Sequence, residues 1–426
     1  MKKITYRLSA LALALALLML GSCEPAPDTT TTDPETTEAS TTVSETTEEA
    51  TTDSETTEEV TTDSETTEEE TTESVFAPVT ATVTEIAKHG NLKLDIVGSE
   101  LFDLGYEYGD LLEVTVAGQT LEVPFGSNYS DVDNGNAILR AITAEEVVVL
   151  ALNMSDFATT AGIAEKVTIE EEPGYRWDYL VEAPVQVTIS MKQEDGYREQ
   201  WLIHQLVGST ERSDYAHLSD EAFANFRMID TTGMGAGKLY RSSSPINPGI
   251  GRNTYADQAA RAAGIVTVIN LADASNTYES PEGTYYLTCQ VTYLNLGMNF
   301  TSEASKAGLA EGLRVIINGE GPYLVHCNEG KDRAGFVSAL LECLMGASID
   351  EVVEDYMETY VNYYGVEKGT EKYNAVVNSN IISTLNASFE VQDVYQADLV
   401  AEAEAFLMEE VGLSADEVAA LKVKLG

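Results

Sequence analysis

The chain has 426 residues, with 71 Asp and Glu against 24 Lys and Arg, a formal charge of −47 at neutral pH. Residues 76–426 alone carry 53 acidic and 21 basic side chains. Such a surface repels polyanions, which argues against nucleic acid or an anionic membrane surface as the main partner. A site for phosphate must then make its positive potential locally. No Cys-x2-Cys pair occurs, and His89, His204, His217 and His326 do not cluster at ligand spacing, so neither a zinc site nor another cofactor is expected.

At the N-terminus Lys2, Lys3 and Arg7 lead into an apolar run from Leu8 to Leu20. That run is shorter than the ~20 residues a bilayer span needs, and it reads as a secretory signal. Leu20-Gly21-Ser22-Cys23 resembles a bacterial lipobox. The resemblance implies lipid on Cys23 and anchorage at the extracellular face of the membrane; the alternative is an ordinary signal peptide with an incidental Cys. Residues 31–70 are four ten-residue copies such as TTDSETTEEV, and residues 24–75 hold 18 acidic and no basic side chains. Stacked copies would bury nothing, so this stretch is expected to be a disordered tether.

Residues 76–212 read as an all-β barrel or sandwich of binding or presentation type. Pro78 to Val83 and Asn91 to Ile96 alternate apolar and polar residues. Leu111 to Phe125 is predicted as a hairpin turning at Ala117-Gly118-Gln119. Val185 to Met191 and Tyr197 to Leu206 are predicted as another, turning at Glu194-Asp195-Gly196. His89-Gly90-Asn91-Leu92 and a Tyr106-to-Val116 hairpin resemble the β-barrel C-terminal domain of S-adenosylmethionine hydroxide adenosyltransferases, from which no activity or site residue is carried over. Asp131-Val132-Asp133-Asn134-Gly135-Asn136 has calcium-loop spacing, but Asn136 and Ile142 stand where the turn Gly and closing Glu belong; a polar turn is the expectation.

From residue 213 strands and helices alternate, the pattern of an α/β domain with a mainly parallel sheet flanked by helices. Lys238 to Ser243, Ile265 to Leu271, Val291 to Leu296 and Tyr323 to Val325 read as strands. Tyr255 to Ala263, Ser302 to Ile317, Ile349 to Tyr364, Leu399 to Glu410 and Ala415 to Val423 read as helices. Between the last strand and the helical pattern Val337 to Met345 lies His326-Cys327-Asn328-Glu329-Gly330-Lys331-Asp332-Arg333-Ala334-Gly335. A strand, a tight loop and a helix N-terminus bring backbone N–H groups around one point, which favours an oxyanion and, at its mouth, a cysteine thiolate. An arginine six residues on can grip two phosphoryl oxygens. The bland alternative is a buried strand-end Cys beside a solvated loop. Cys343 falls on an apolar face and reads as a core thiol; a Cys289–Cys343 bridge is the lesser option.

This stretch resembles the HCxxGxxRxG signature of the protein tyrosine phosphatase superfamily, nearest the bacterial branch with Gly-Lys-Asp-Arg, which also includes phosphoinositide-directed enzymes. Asn225-Phe226-Arg227, Leu239 to Ser242, Gly264 to Leu271 and Gly412 to Glu417 extend the resemblance over residues 213–426. It implies a phosphomonoesterase with Cys327 as nucleophile and Arg333 and the loop amides of Asn328, Glu329, Gly330, Lys331, Ala334 and Gly335 binding phosphate. His326 would orient the loop, or simply pack on its strand. Gly297 to Glu303, where many members carry an acidic Asp, has none, so Asp332 is the leading general acid, with Asp273, another group or no protein acid as the alternatives. Lys331 and Arg333 favour ionised Asp332, whereas a bound phosphate dianion would favour its proton. Ala334 replaces a Thr or Ser that eases thiolate departure, which keeps open a surface phospho-ligand binder with a slow or inactive phosphatase domain. Lys331 suits multiply phosphorylated ligands such as inositol phosphates, or is a solvated lysine; Arg241 either braces the site or caps a strand. The expected partners are a phosphorylated protein or an inositol phosphate.

Overall fold

The computed structural model describes residues 76–426. The signal, the Cys23 lipidation site and the acidic tether expected within residues 1–75 lie outside the described residues. Among those described, no helix is long and apolar enough to cross a membrane.

The first domain is a closed seven-stranded barrel in the order β1-β2-β6-β5-β4-β3-β9. Its strands are β1 (Val79–Ile86), β2 (Leu92–Val97), β3 (Leu111–Val116), β4 (Gln119–Gly126), β5 (Ala137–Arg140), β6 (Val147–Leu152) and β9 (Gln186–Gln193). A small β7–β8 ribbon (Ala164–Thr168, Tyr175–Tyr179) stands beside it. Alternation decides which side chains enter: on β3 Leu112, Val114 and Val116 are buried and Glu113 is not. Ala117 and Gly118 both take positive φ, 51° and 77°, the geometry that lets two residues join twisted strands.

Two expectations are corrected here. Residues 106–116 do not form a hairpin: Tyr106 is buried in a loop and the hairpin is β3–β4. Tyr197 to Leu206 is no strand but ends in the helix α1 (Arg198–His204). The short run's alternation hid a helical division of labour. Trp201 Nε1 and Gln205 Nε2, four residues apart, donate to the buried Asp131 of the barrel, while Ile203 and Leu206 pack on the core of the next domain. Asp131 also accepts from the amides of Ser127 and Asn128, so its carboxylate ties a loop to α1.

The second domain holds a five-stranded sheet in the order β10-β11-β14-β12-β13, formed by Arg227–Met228, Leu239–Ser242, Tyr323–His326, Thr267–Asn270 and Gln290–Tyr293. The four longer strands are parallel and the short edge strand β10 is antiparallel. Every residue of β12 and β14 is buried, as expected of parallel strands covered on both faces. The covering helices are α2 (Asn253–Ala262), α3 (Glu303–Asn318), α4 (Asp332–Met345), α5 (Ile349–Tyr364), α6 (residues 371–389), α7 (residues 399–410) and α8 (Ala415–Leu425). Residues 334–344 of α4 are all buried, so this helix is the axis of the core. Helix α6 went unpredicted. It passes through a π-helical turn (Val377–Ile382) that breaks the 3.6-residue period, and its Asn and Ser content reads as loop. Cys289, Cys327 and Cys343 are free, and Cys343 is a fully buried core thiol.

Candidate active site

Parallel register sets Ser242, His326 and Asn270 side by side at the C-terminal edge of the sheet. The chain then turns through Cys327–Lys331 into α4. At Gly330, φ is 71°, and a Cβ there would lie 2.4 Å from the Ser242 carbonyl oxygen; only glycine fits this corner. Gly335 is equally tight, its missing Cβ facing the Tyr356 ring at 2.6 Å.

Each carbonyl of the loop is turned outward and held. Asn328 O accepts from Ser244 N at 2.8 Å. Glu329 O accepts from Asn225 Nδ2 at 3.0 Å and from the Tyr363 hydroxyl at 3.1 Å. Arg241 Nη2 donates to Gly330 O at 2.7 Å and Lys331 O at 3.2 Å. With the carbonyls committed outward, the amides face the opposite way and make an anion-binding concavity. Arg241 is wholly buried and pairs with Asp355, which also pairs with Arg227 at 2.7 Å. It is thus a brace under the loop. Burial pushes Asp355 up, but Arg227 and Arg241 outweigh it and hold the carboxyl below its ordinary range. Beside it Glu342, wholly buried in α4, is pushed well above the carboxylate range by burial and by Asp355.

Cys327, Asn328, Glu329, Asp332 and Arg333 line one open cavity of about 440 Å³, with Asn247, Gly249 and Ile250 opposite. Cys327 is 3% exposed at its floor. Arg333 Nη1 is anchored by Leu296 O at 3.3 Å and Leu271 O at 3.5 Å, while its Nε is buried without a partner. A buried guanidinium N–H left unpaired is costly in isolation.

The remaining candidates separate. His326 is fully buried, with Nδ1 3.1 Å from Cys327 O and Nε2 3.3 Å from the Tyr286 hydroxyl. Burial lowers its pKa to about 4, so the ring is neutral. Asp273 bonds Asn270 Nδ2 at 2.9 Å and the Tyr278 hydroxyl at 3.5 Å and does not line the cavity. Asp332 does line it, at the first turn of α4. Lys331 turns away, to Glu329 Oε2 at 3.0 Å and the Tyr364 hydroxyl at 3.2 Å. Burial lowers its pKa, but Asp332 and Glu329 outweigh that and keep it charged. Ala334 is wholly buried behind the loop. Sequence reasoning missed Asn247, Asp355, Tyr286 and the tyrosines Tyr356, Tyr360, Tyr363 and Tyr364. The spacing of those tyrosines along α5 was a signal, one read only as a covering face.

This geometry is that of a cysteine-dependent phosphatase. Residues 223–426 match the tyrosine phosphatase family. That match makes the second domain protein tyrosine phosphatase-like. Among solved structures it is similar to the core catalytic domain of the PP-IP phosphatase Siw14 from S. cerevisiae, at 19% identity over 37% of this chain and 85% of that one, with a TM-score of 0.24. It is also similar to a variant of TpbA from P. aeruginosa in complex with pTyr, at 16% identity over 44% and 93%, with a TM-score of 0.27. A conserved protein from Thermotoga maritima matches at 17% identity over 26% of this chain and only 35% of its own, with a TM-score of 0.21. No curated protein matches the chain. The family match begins beyond the barrel, whose resemblance to the adenosyltransferase domain gains no support from it.

Proposed function

We propose that the chain is a lipid-anchored phosphomonoesterase working at the extracellular face of the cell membrane through a cysteinyl-phosphate intermediate. The sulfur of Cys327 attacks phosphorus in line, forming the S–P bond as the P–O bond to the leaving group breaks. Arg333 and the loop amides hold the equatorial oxygens, whose charge they stabilise most in the transition state. Asp332 gives its proton to the departing oxygen, and then takes one from the water that cleaves the S–P bond. The observation that carries this reading is the joint placement of Cys327, Asp332 and Arg333 on one cavity. The lipid anchor rests on the Leu20-Gly21-Ser22-Cys23 sequence, and the barrel between tether and enzyme serves as a presenting domain.

The substrate class is a phosphate monoester of phosphotyrosine type. Lys331 is committed to Glu329 and Tyr364, which favours one phosphate in the cavity over several. Hydrolysis of p-nitrophenyl phosphate by the intact chain, compared with Cys327→Ser, tests the reading. Metal-independent turnover that the variant loses by at least about a thousandfold is expected. Tight binding of phosphate esters without release by the wild-type chain would instead establish a phospho-ligand trap. A panel of phosphotyrosyl peptides and inositol phosphates then sets the substrate.

A further inference from the structure

Asp332 has a partly exposed carboxyl, and its one hydrogen-bond donor among the described residues is the Tyr360 hydroxyl, 3.5 Å from Oδ1. The direction of that bond follows from counting protons. A phenol can accept two hydrogen bonds and give one. Asn380 Nδ2, which can only donate, lies 2.8 Å from the Tyr360 oxygen. The Tyr356 hydroxyl, 3.4 Å away, has no other hydrogen-bond partner among the described residues, and with the Tyr360 proton on Asp332 it is the donor of that pair. Tyr360 thus accepts from Asn380 and Tyr356 and gives its one proton to Asp332. Burial raises the pKa of Tyr360 well above the ordinary phenol value, so it stays a donor. Oδ2 lies 3.8 Å from Lys331 Nζ, so the hydroxyl of Tyr360 and the ammonium of Lys331 each face one oxygen of Asp332 and together set its rotation.

What holds Tyr360 leads out of the domain. Asn380 belongs to the π-helical turn of α6 (Val377–Ile382), a feature common at functional sites. Its neighbours Asn378 and Ser379 donate to the two carboxylate oxygens of Glu199, at 2.9 and 2.6 Å. Glu199 sits on α1, which Trp201 and Gln205 fasten to the barrel's Asp131 and which Arg198 fastens to Tyr108 O, at 2.9 Å. Arg198 also pairs with Glu371 at the start of α6, at 2.9 Å. We propose that Tyr360 is the positioning residue of Asp332, and that Glu199, on the barrel-side helix, holds the turn that supports Tyr360. The barrel domain is then part of the apparatus that delivers the proton.

The inference rests on the reading of Asp332 as the acid, and the ester used separates the two. Phenyl phosphate needs its leaving oxygen protonated, whereas p-nitrophenyl phosphate scarcely does. Asp332→Asn should lower kcat on phenyl phosphate by about a hundredfold or more, and far less on p-nitrophenyl phosphate. Tyr360→Phe should lose about tenfold on phenyl phosphate and at most two- to threefold on the nitro ester. Glu199→Ala should show the same selectivity at about threefold, and add little to Tyr360→Phe in the double variant. If Tyr360→Phe slows both esters equally, or neither, while Asp332→Asn remains selective, the acid stands and the inference falls. If Asp332→Asn is itself unselective, the acid assignment fails and takes the inference with it. An unselective or silent Glu199→Ala overturns the part assigned to the barrel.

Discussion

His326 shows how one buried residue links the site to stability. In the unfolded chain its ring takes a proton near its ordinary pKa of 6.5, but in the folded chain burial delays this to about 4. Between those values the unfolded state binds more protons, so stability is complete above about 6.5 and declines as pH falls towards 4, by up to roughly 3 kcal/mol. Glu351 and Glu417, whose pKa values hydrogen bonding lowers to about 2, contribute their losses only below the ordinary carboxylate value. Glu342, whose pKa burial raises well above the carboxylate range, adds a slope of opposite sign between pH 6.5 and 5, so the histidine is read from the difference between two proteins. As pH falls from 6.5 to 5, the urea midpoint of His326→Asn should fall less, or rise more, than that of wild type; an equal slope in both proteins would refute the assignment. Cys327, Arg333 and His326 were legible because they lie within one continuous signature. Tyr286, Tyr360 and Tyr363 were not, because only tertiary contact brings them to it, from 40, 28 and 34 residues away.

At the scale of elements, the signature loop is shaped by what lies under it. β11 supplies Arg241, α5 supplies Asp355, β10 supplies Arg227, and α4 supplies the buried Glu342. Arg241 serves one carboxylate and two carbonyls at once, which needs a planar fork of donors. Arg241→Lys keeps the charge but cannot reach all three, leaving buried acceptors unpaired. A loss of about 2–4 kcal/mol in urea denaturation is expected, with a fall in kcat as the loop loosens; unchanged values in both would show that the brace is dispensable. Strand and helix positions were largely legible because β3, β12, β14 and α3 keep clean two- or 3.6-residue periods between turn residues. Two elements escaped for opposite reasons. In α1 a short run of mixed character satisfied a strand pattern, and in α6 the π turn disrupted a helical one.

For the whole molecule, charge is the dominant fact, and it opposes the site. Residues 76–426 carry a net −32, and the cavity rim adds Glu329 and Asp332 to one cationic Arg333, with Lys331 turned aside. An approaching phosphate ester therefore meets repulsion at long range and attraction only within the concavity. Salt screens the first far more than the second, because exposed charges interact over a Debye length of about 30 Å at 0.01 M salt but about 10 Å at 0.1 M, whereas buried donors act at contact. Raising ionic strength between those values should increase kcat/KM for p-nitrophenyl phosphate, and increase it more steeply for an ester bearing several phosphates. The change should lie in kcat/KM and not in kcat, since the bound ester has already crossed the repulsive field. A fall in kcat/KM with salt would mean that the positive potential of the loop reaches beyond the rim, and that the acidic surface does not govern encounter.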